Sequence, residues 1–215
     1  MADEVKTRSY DNSRRLAAAR QTRRAVADAA LELFVERGYP ATTLKAIAAR
    51  AGVSVQTVYG QFGNKRAVLK TVIDVTVAGD DEPVPLSRRA QADEARRESD
   101  PRRVLALVVG GVAEILSRTA GLDRMVRSAA EVDGEAAELW RIGAEQRRRG
   151  MAEVVALLAR RGQLRHDLSE QEATTRLAAL IDPELYRITV VDGGWEPERH
   201  RSWLEELAAA SLLPR

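Results

Sequence analysis

Val55, Gln56, Thr57, Tyr59 and Gln61 lie in one short stretch, 54–62, and together carry side chains that can read a DNA duplex. A glutamine amide can bond bidentately to adenine, whereas a valine offers only apolar contact, for example to a thymine methyl. Thr57, Tyr59 and Gln61 present hydroxyl or amide groups suited to phosphates, which fix register without reading sequence. Lys65 adds a charge near the start of the next helix, where free N–H groups already favour an anion. Thr43 and Lys45 can act in the same way from the preceding helix. Val58 and Phe62 are expected to face inward. Tyr59 can pack, reach DNA or do both, since its ring is apolar and its tip polar.

Such residues work only if a helix holds them in order. Leu44, Ile47, Ala48 and Ala51 repeat with the period of one apolar helix face, and Gly52 stands where the chain leaving that helix needs a positive φ. Ser54 is placed to cap the next helix by accepting from an N–H two or three residues on. Two helices joined by a tight glycine-containing turn form a helix-turn-helix, and the second helix, its N-terminal residues reaching deepest, reads the major groove. Upstream, Thr22 to Arg37 predicts a helix with Val26, Ala30, Leu33 and Phe34 on one stripe and Gly38 as its stop. Downstream, Asn64 is placed to cap a helix from Lys65 to about Val77, with Leu69, Val72 and Ile73 facing inward.

Charge follows the same division. The net charge is +2, yet residues 1–70 hold 13 Lys+Arg against 6 Asp+Glu, and the remaining residues hold 21 against 26. All four lysines, Lys6, Lys45, Lys65 and Lys70, lie in the first seventy positions. Displacing counterions from phosphates needs a local basic surface rather than a basic whole. A solvated charged face is the bland alternative, and the coincidence with the helix-turn-helix favours nucleic acid.

The segment resembles the N-terminal domain of the tetracycline-repressor (TetR) family of bacterial transcription regulators. The matching residues are Thr22-Arg23, Ala29-Ala30, Leu33-Phe34 and Gly38-Tyr39, then Thr42-Thr43-Leu44, Ile47-Ala48 and Ala51-Gly52-Val53-Ser54. They continue through Thr57-Val58-Tyr59, Phe62 and Asn64-Lys65 without a gap. Gly60 and Gln61 depart from the family, which often places an aromatic or a histidine there. The ending, residues 182–213, is also similar to the C-terminal region of many TetR-like proteins.

The rest of the chain reads as further helices. Residues 1–19 are polar and basic and are expected to form a mobile arm. Residues 20–80 make the DNA-binding domain, 81–99 a polar linker with room for a helical turn near Ala90 to Arg97, and 100–215 a second helical domain. Asp100 caps, and Pro101 takes the first turn, where a missing N–H costs nothing. Leu105, Val108, Val109, Val112 and Leu116 line one face, and a separate short helix is expected near Leu122 to Ala130. Asp133 opens a long helix ending before Gly162. Within it, Arg147, Arg148 and Arg149 read as a solvated face. Ser169 caps a helix with the stripe Ala173, Leu177, Leu180 and Ile181. Residues 185–191 are rich in β-branched residues, but Asp182-Pro183-Glu184 is a strong helix start and a lone strand has no partner, so helix is expected. The last helix carries Trp203, Leu204, Leu207, Ala208 and Leu212.

Competing chemistry is sparse. His166 and His200 sit in separate polar turns, lack partner spacing for a metal or a triad, and are expected at the surface. Gly110-Gly111 lacks the Lys-Ser/Thr of a phosphate loop and is expected to allow close helix packing. Glu135 and Glu138 lie three apart on a helix with no histidine to complete a metal site. No cysteine is available for a disulfide or a thiolate. No run of eighteen apolar residues suggests a spanning helix, and the first residues lack the apolar stretch of a secretion signal. A cytoplasmic, membrane-free, non-enzymatic protein without cofactor or metal is expected.

The resemblance therefore implies an all-α chain: a helix-turn-helix domain followed by a helical ligand-binding and dimerisation domain. It implies a homodimer through the helices near 169–181 and 196–212, a palindromic double-stranded operator, and release by an unidentified small-molecule effector. Candidate effector contacts are Val109, Val112, Met125, Trp140, Ile142, Met151 and Tyr186, with Arg127, Glu131 or Tyr186 as polar points. The reading from another class is a helical ligand-binding protein or enzyme whose N-terminal domain is only structural. Repression against activation is left open by the sequence.

Overall fold

The computed structural model describes residues 3–80 and 86–214, with side chains described from residue 17 onward. Among these residues the chain is helical and contains no strand. The helices are α1 (Asp3–Arg37), α2 (Leu44–Ala51), α3 (Val55–Phe62), α4 (Lys65–Ala78), α5 (Ala90–Arg97), α6 (Pro101–Ala130), α7 (Gly134–Arg160), α8 (Glu170–Leu180), α9 (Pro183–Tyr186) and α10 (Pro197–Leu212).

Most boundaries have a local cause. Thr43, Ser54, Asn64, Asp100, Asp133, Ser169 and Asp182 each accept a backbone N–H of the helix they precede, satisfying one of its orphan donors. Gly52, at φ 69°, ends α2 in a left-handed turn and donates back to Ala48 and Ala49 carbonyls.

Two boundaries differ from the sequence expectation. The segment expected as a mobile arm is helical from Asp3 and continuous with α1; residues 1–2 lie outside the described region. Its run SRRLAAAR holds good helix formers and no breaker, so nothing local stops the helix. Likewise α6 is one helix of 30 residues rather than two, because Ser117 to Gly121 contains no proline and a single interior glycine is tolerated at a cost of about 1 kcal/mol. Residues 183–192 are helical, ending in a π-helical turn, Arg187–Asp192.

α6 is long and apolar enough to span a membrane by composition, with mean hydropathy 1.5 over its best window. The expectation that no such helix exists is thereby corrected. Here α6 is the central packing helix, touching α1, α4, α5, α7, α9 and α10. Gly110 and Gly111 let Arg201 of α10 and Gln91 of α5 approach it, since a Cβ on either glycine would stand 2.8–3.2 Å from those side chains.

The core has two parts. The lower cluster joins α1–α4 (Val26, Leu33, Phe34, Tyr39, Ile47, Val58, Leu69) to Leu122, Met125, Val126 and Ala129 of α6 and Ala136 and Leu139 of α7. The upper cluster gathers Val104, Leu105 and Val109 of α6, Met151, Val155 and Leu158 of α7, and Leu177, Leu204 and Leu212 of α8 and α10. The helix-turn-helix thus shares its core with the ends of α6 and α7, although the sequence places a linker between two modules.

The stripes of α8 and α10 take a different role from the one expected. Ala173, Leu177, Ile181, Leu204, Ala208 and Leu212 are all buried within the protomer, where they close the upper cluster. Leu180, Trp203 and Leu207 keep part of their surface exposed.

Candidate nucleic-acid interface

α3 is held from behind and open in front. Val58 is fully buried beneath it, and Val55 and Phe62 pack partly against the same core. On the other side Gln56, Tyr59, Gly60 and Gln61 are exposed, Tyr59 to 55%. A tyrosine ring left that open on a well-packed helix is apolar surface largely uncovered by the described residues.

The N-terminus of α3 is ordered by its own residues. Ser54 Oγ accepts from the Thr57 backbone N–H at 3.0 Å and lies 2.8 Å from the Thr57 hydroxyl. Thr57 therefore spends part of its polar capacity on the cap. Thr43, exposed, caps α2 by accepting from Ala46 N at 3.1 Å. Lys45 is exposed on the first turn of α2 and makes no hydrogen bond or ion pair with a described residue.

Lys65 does more than carry charge. Its Nζ donates to the Tyr39 carbonyl at 2.9 Å and lies 4.2 Å from the centre of the Tyr39 ring, tying α4 to the turn that follows α1. Burial, with Asp133 and Glu135 adding, pushes the Tyr39 hydroxyl up to about 12, so the ring beneath the ammonium is neutral. An ammonium has three donors, which leaves capacity for a phosphate. Two other basic residues of the domain are paired: Arg50 with Glu32 and Glu36, and Lys70 with Asp74. The Arg50 ion pairs hold the Glu36 carboxyl below its usual range.

Thr43, Lys45, Ser54, Gln56, Tyr59 and Gln61 are thus all exposed, and Thr57, Val55 and Lys65 half-buried, within the α2–α4 segment.

The residues expected around an effector do not line one space. Val109 and Met151 belong to the upper core and Met125 to the lower. Met125 also borders a groove of about 260 Å³ between α1 and α6, lined in addition by Phe34, Tyr39 and Arg124. Val112, Trp140 and Ile142 are half-buried. Arg127 is exposed and paired with Glu184 at 2.6 Å, and Glu131 is exposed, so neither is an inward polar point. Tyr186 is buried against His200, their rings edge to face at 5.1 Å.

His200 corrects a further expectation. It is fully buried rather than a surface residue, its Nδ1 2.7 Å from the Thr189 hydroxyl, while His166 is exposed as expected. That hydroxyl donates to the Leu185 carbonyl at 2.9 Å, so its oxygen accepts from His200 Nδ1–H and the Nε2 lone pair faces the interior. Nothing in the polar sequence around 196–202 signals this; the π-helical turn brings Thr189 round to the ring.

Comparison with known proteins agrees with the geometry. The family model described as bacterial regulatory proteins, tetR family, matches residues 26–72, from the last third of α1 through α2 and α3 into α4. The chain is 28% identical over 174 residues to the HTH-type transcriptional regulator TtgR of Pseudomonas putida, covering 76% of this chain and 78% of that one. Among solved structures, a transcriptional regulator from Saccharomonospora viridis in complex with choline superposes with a TM-score of 0.68 at 23% identity, over 90% of this chain and 98% of that one. SmeT in its triclosan complex gives 0.69 at 20% identity, over 90% and 92%. These two likenesses speak for the fold; the helix-turn-helix match and the regulator relatives speak for the role. A solvent-facing, capped recognition helix within the residues that the tetR-family model matches reads as the DNA-contacting element of a transcriptional regulator with a TetR-like helix-turn-helix domain.

Proposed function

We propose that the protein is a repressor that binds a palindromic operator as a homodimer and is released by a small molecule. The observation that carries the DNA contact is the face of α3: Gln56, Tyr59 and Gln61 open to solvent above a fully buried Val58. Gln56, near the helix N-terminus, reads a base edge, with Val55 as an apolar neighbour. Thr43, Lys45, Ser54, Thr57, Tyr59, Gln61 and Lys65 hold phosphates and set register.

Dimerisation through α8 and α10 presents two copies of α3 to successive major grooves. Their main stripes are spent on the protomer core, so the contact relies on their outer surfaces, including the partly exposed Leu180, Trp203 and Leu207. The effector acts by binding one arrangement of the protomers better than the other, which is all a population shift requires. The solved relatives holding choline and triclosan support a small-molecule site in this fold.

Electrophoretic mobility measurements with the DNA upstream of the protein's own coding region test this reading. A discrete complex that competitor DNA of unrelated sequence fails to displace is expected. Equal affinity for all duplexes refutes it.

A further inference from the structure

Where α1 ends, its last turn and α6 leave a groove of about 260 Å³ between them. Buried Phe34 and Tyr39 line it, and Val35, Pro40, Met125 and Ala129 add apolar wall. Val35 is left 47% exposed. Gly121 of α6 keeps the space open, since a Cβ there would meet nothing within 4 Å. The volume lies below the roughly 300–1,000 Å³ of drug-sized sites, which suits a ligand with a single-ring body.

The polar groups around this groove are unevenly matched. Its carbonyls are taken: Phe34 O accepts from Gly38 N at 3.0 Å, Gly38 O from the Thr42 hydroxyl at 2.8 Å, and Tyr39 O from Lys65 Nζ at 2.9 Å. Its donors are not. The Arg124 guanidinium and the Ser128 hydroxyl, one turn apart on α6 and both exposed, make no hydrogen bond or ion pair with a described residue. The arginines of α6 on either side are engaged, Arg118 with the Val77 carbonyl and Arg127 with Glu184. No Asp or Glu lines the groove, so its one formal charge is the Arg124 cation.

We infer that this groove is a binding site for a small carboxylate with an apolar body, its acid group on Arg124 and Ser128 and its body against Val35, Pro40 and Met125. An arginine holds a carboxylate through two parallel N–H···O bonds, which fix orientation as well as adding energy. The site is not confined to the helical domain of residues 100–215. Half of its lining comes from the end of α1 and the turn that leads into the helix-turn-helix, a turn that Lys65 of α4 holds by the Tyr39 carbonyl. A ligand that touches both Pro40 and α6 therefore favours one placement of the DNA-reading unit on α6 over others. That is the differential binding a population shift needs. The consequence for DNA rests on the proposed repressor reading; the site itself does not.

The test is calorimetric titration of the full-length protein with sodium cinnamate, against cinnamamide, which lacks the charge, and sodium acetate, which lacks the body. Saturable heat is expected from cinnamate, with the amide and acetate weaker by about tenfold or more. Arg124→Gln should bring cinnamate down to the level of its amide and leave Tm close to the parent's, because the side chain has no partner to lose. Gly121→Leu should fill the groove and abolish binding while helix propensity raises Tm, so that lost binding is not lost fold. Cinnamate that gives no saturable heat, binds no better than its amide, keeps its preference in Arg124→Gln, or binds Gly121→Leu as well as the parent overturns the site. Operator binding is read on the same samples: saturating cinnamate should weaken it several-fold in the parent and leave Gly121→Leu unmoved. A filled site with unchanged operator affinity overturns the coupling, and a protein that takes cinnamate but binds no duplex refutes the repressor reading alone.

Discussion

The Arg118 guanidinium of α6 donates to the Val77 carbonyl of α4 at 3.1 Å, and to Thr76 O at 3.4 Å. These are among the last carbonyls of α4, which have no partner within the helix. Arg89 meets the next one, donating to Ala78 O at 2.8 Å. The helix that follows the DNA-reading element therefore ends on side chains from the other half of the chain. These bonds and the shared lower core are the contacts that join α6 to α4.

Arg118→Met removes that tie without removing much packing. A cation at a helix C-terminus is a modest stabiliser when exposed, so thermal unfolding should drop by only about 1–3 °C. The larger expected effect is on coupling: effector should shift operator affinity less in the variant than in the parent, as read by fluorescence anisotropy. An unchanged effector response argues that α6 and α4 communicate by another route.

Base reading and phosphate holding should separate by variant. Gln56→Ala should cost about 1–3 kcal/mol at particular base positions and leave others unchanged. Lys45→Ala should weaken binding to every sequence and reduce the salt slope by about one. Lys65→Ala should do the same and also lower Tm, because its ammonium holds the Tyr39 carbonyl. Binding curves on single-base operator variants, with parallel melts, distinguish the three.

Gly60 offers a test in which stability and affinity move oppositely. It is interior to α3 and exposed on the face of Gln56, four residues earlier, and a Cβ there meets nothing within 4 Å. Gly60→Ala should therefore raise stability by about 1 kcal/mol through helix propensity, worth about 2–4 °C in Tm. If DNA approaches this face, the added methyl should weaken operator binding. A variant that is both more stable and equally tight shows that DNA keeps clear of Gly60.

His200 predicts an acid-side loss of stability. Burial pushes its imidazole below the usual histidine value. As pH falls through about 6.5, the unfolded chain takes up the proton while the folded chain does not, so protonation favours unfolding. Chemical denaturation between pH 7.5 and 5.5 should show stability falling, and His200→Gln should flatten that fall. An identical slope in the variant would assign it to other groups.

The parts of this fold written in the sequence are those with a local cause. The caps at Ser54, Asn64, Asp100 and Ser169 were readable because a short polar side chain followed by an apolar period has few other uses, and each accepts an N–H of the helix it precedes. Gly52 was readable because only glycine takes its φ freely. What escaped depends on partners distant in sequence. The stripes of α8 and α10 show that these helices bury a face, but not whether the covering surface is their own chain or a second copy; α6 and α7 supply it here. The residues around His200 are polar, and only the π-helical turn turns it inward. Arg147 looks like its two neighbours until Trp140, two turns away, is seen beneath it.

A salt titration of binding to the duplex upstream of the protein's own coding region, comparing the parent with Gln56→Ala, weighs directly on the assignment of α3. The parent's log affinity should fall linearly as log salt rises, and Gln56→Ala should lose affinity for that duplex but not for unrelated DNA. A salt-insensitive affinity, or a Gln56→Ala variant that binds like the parent, would mean that this helix does not lie against base pairs.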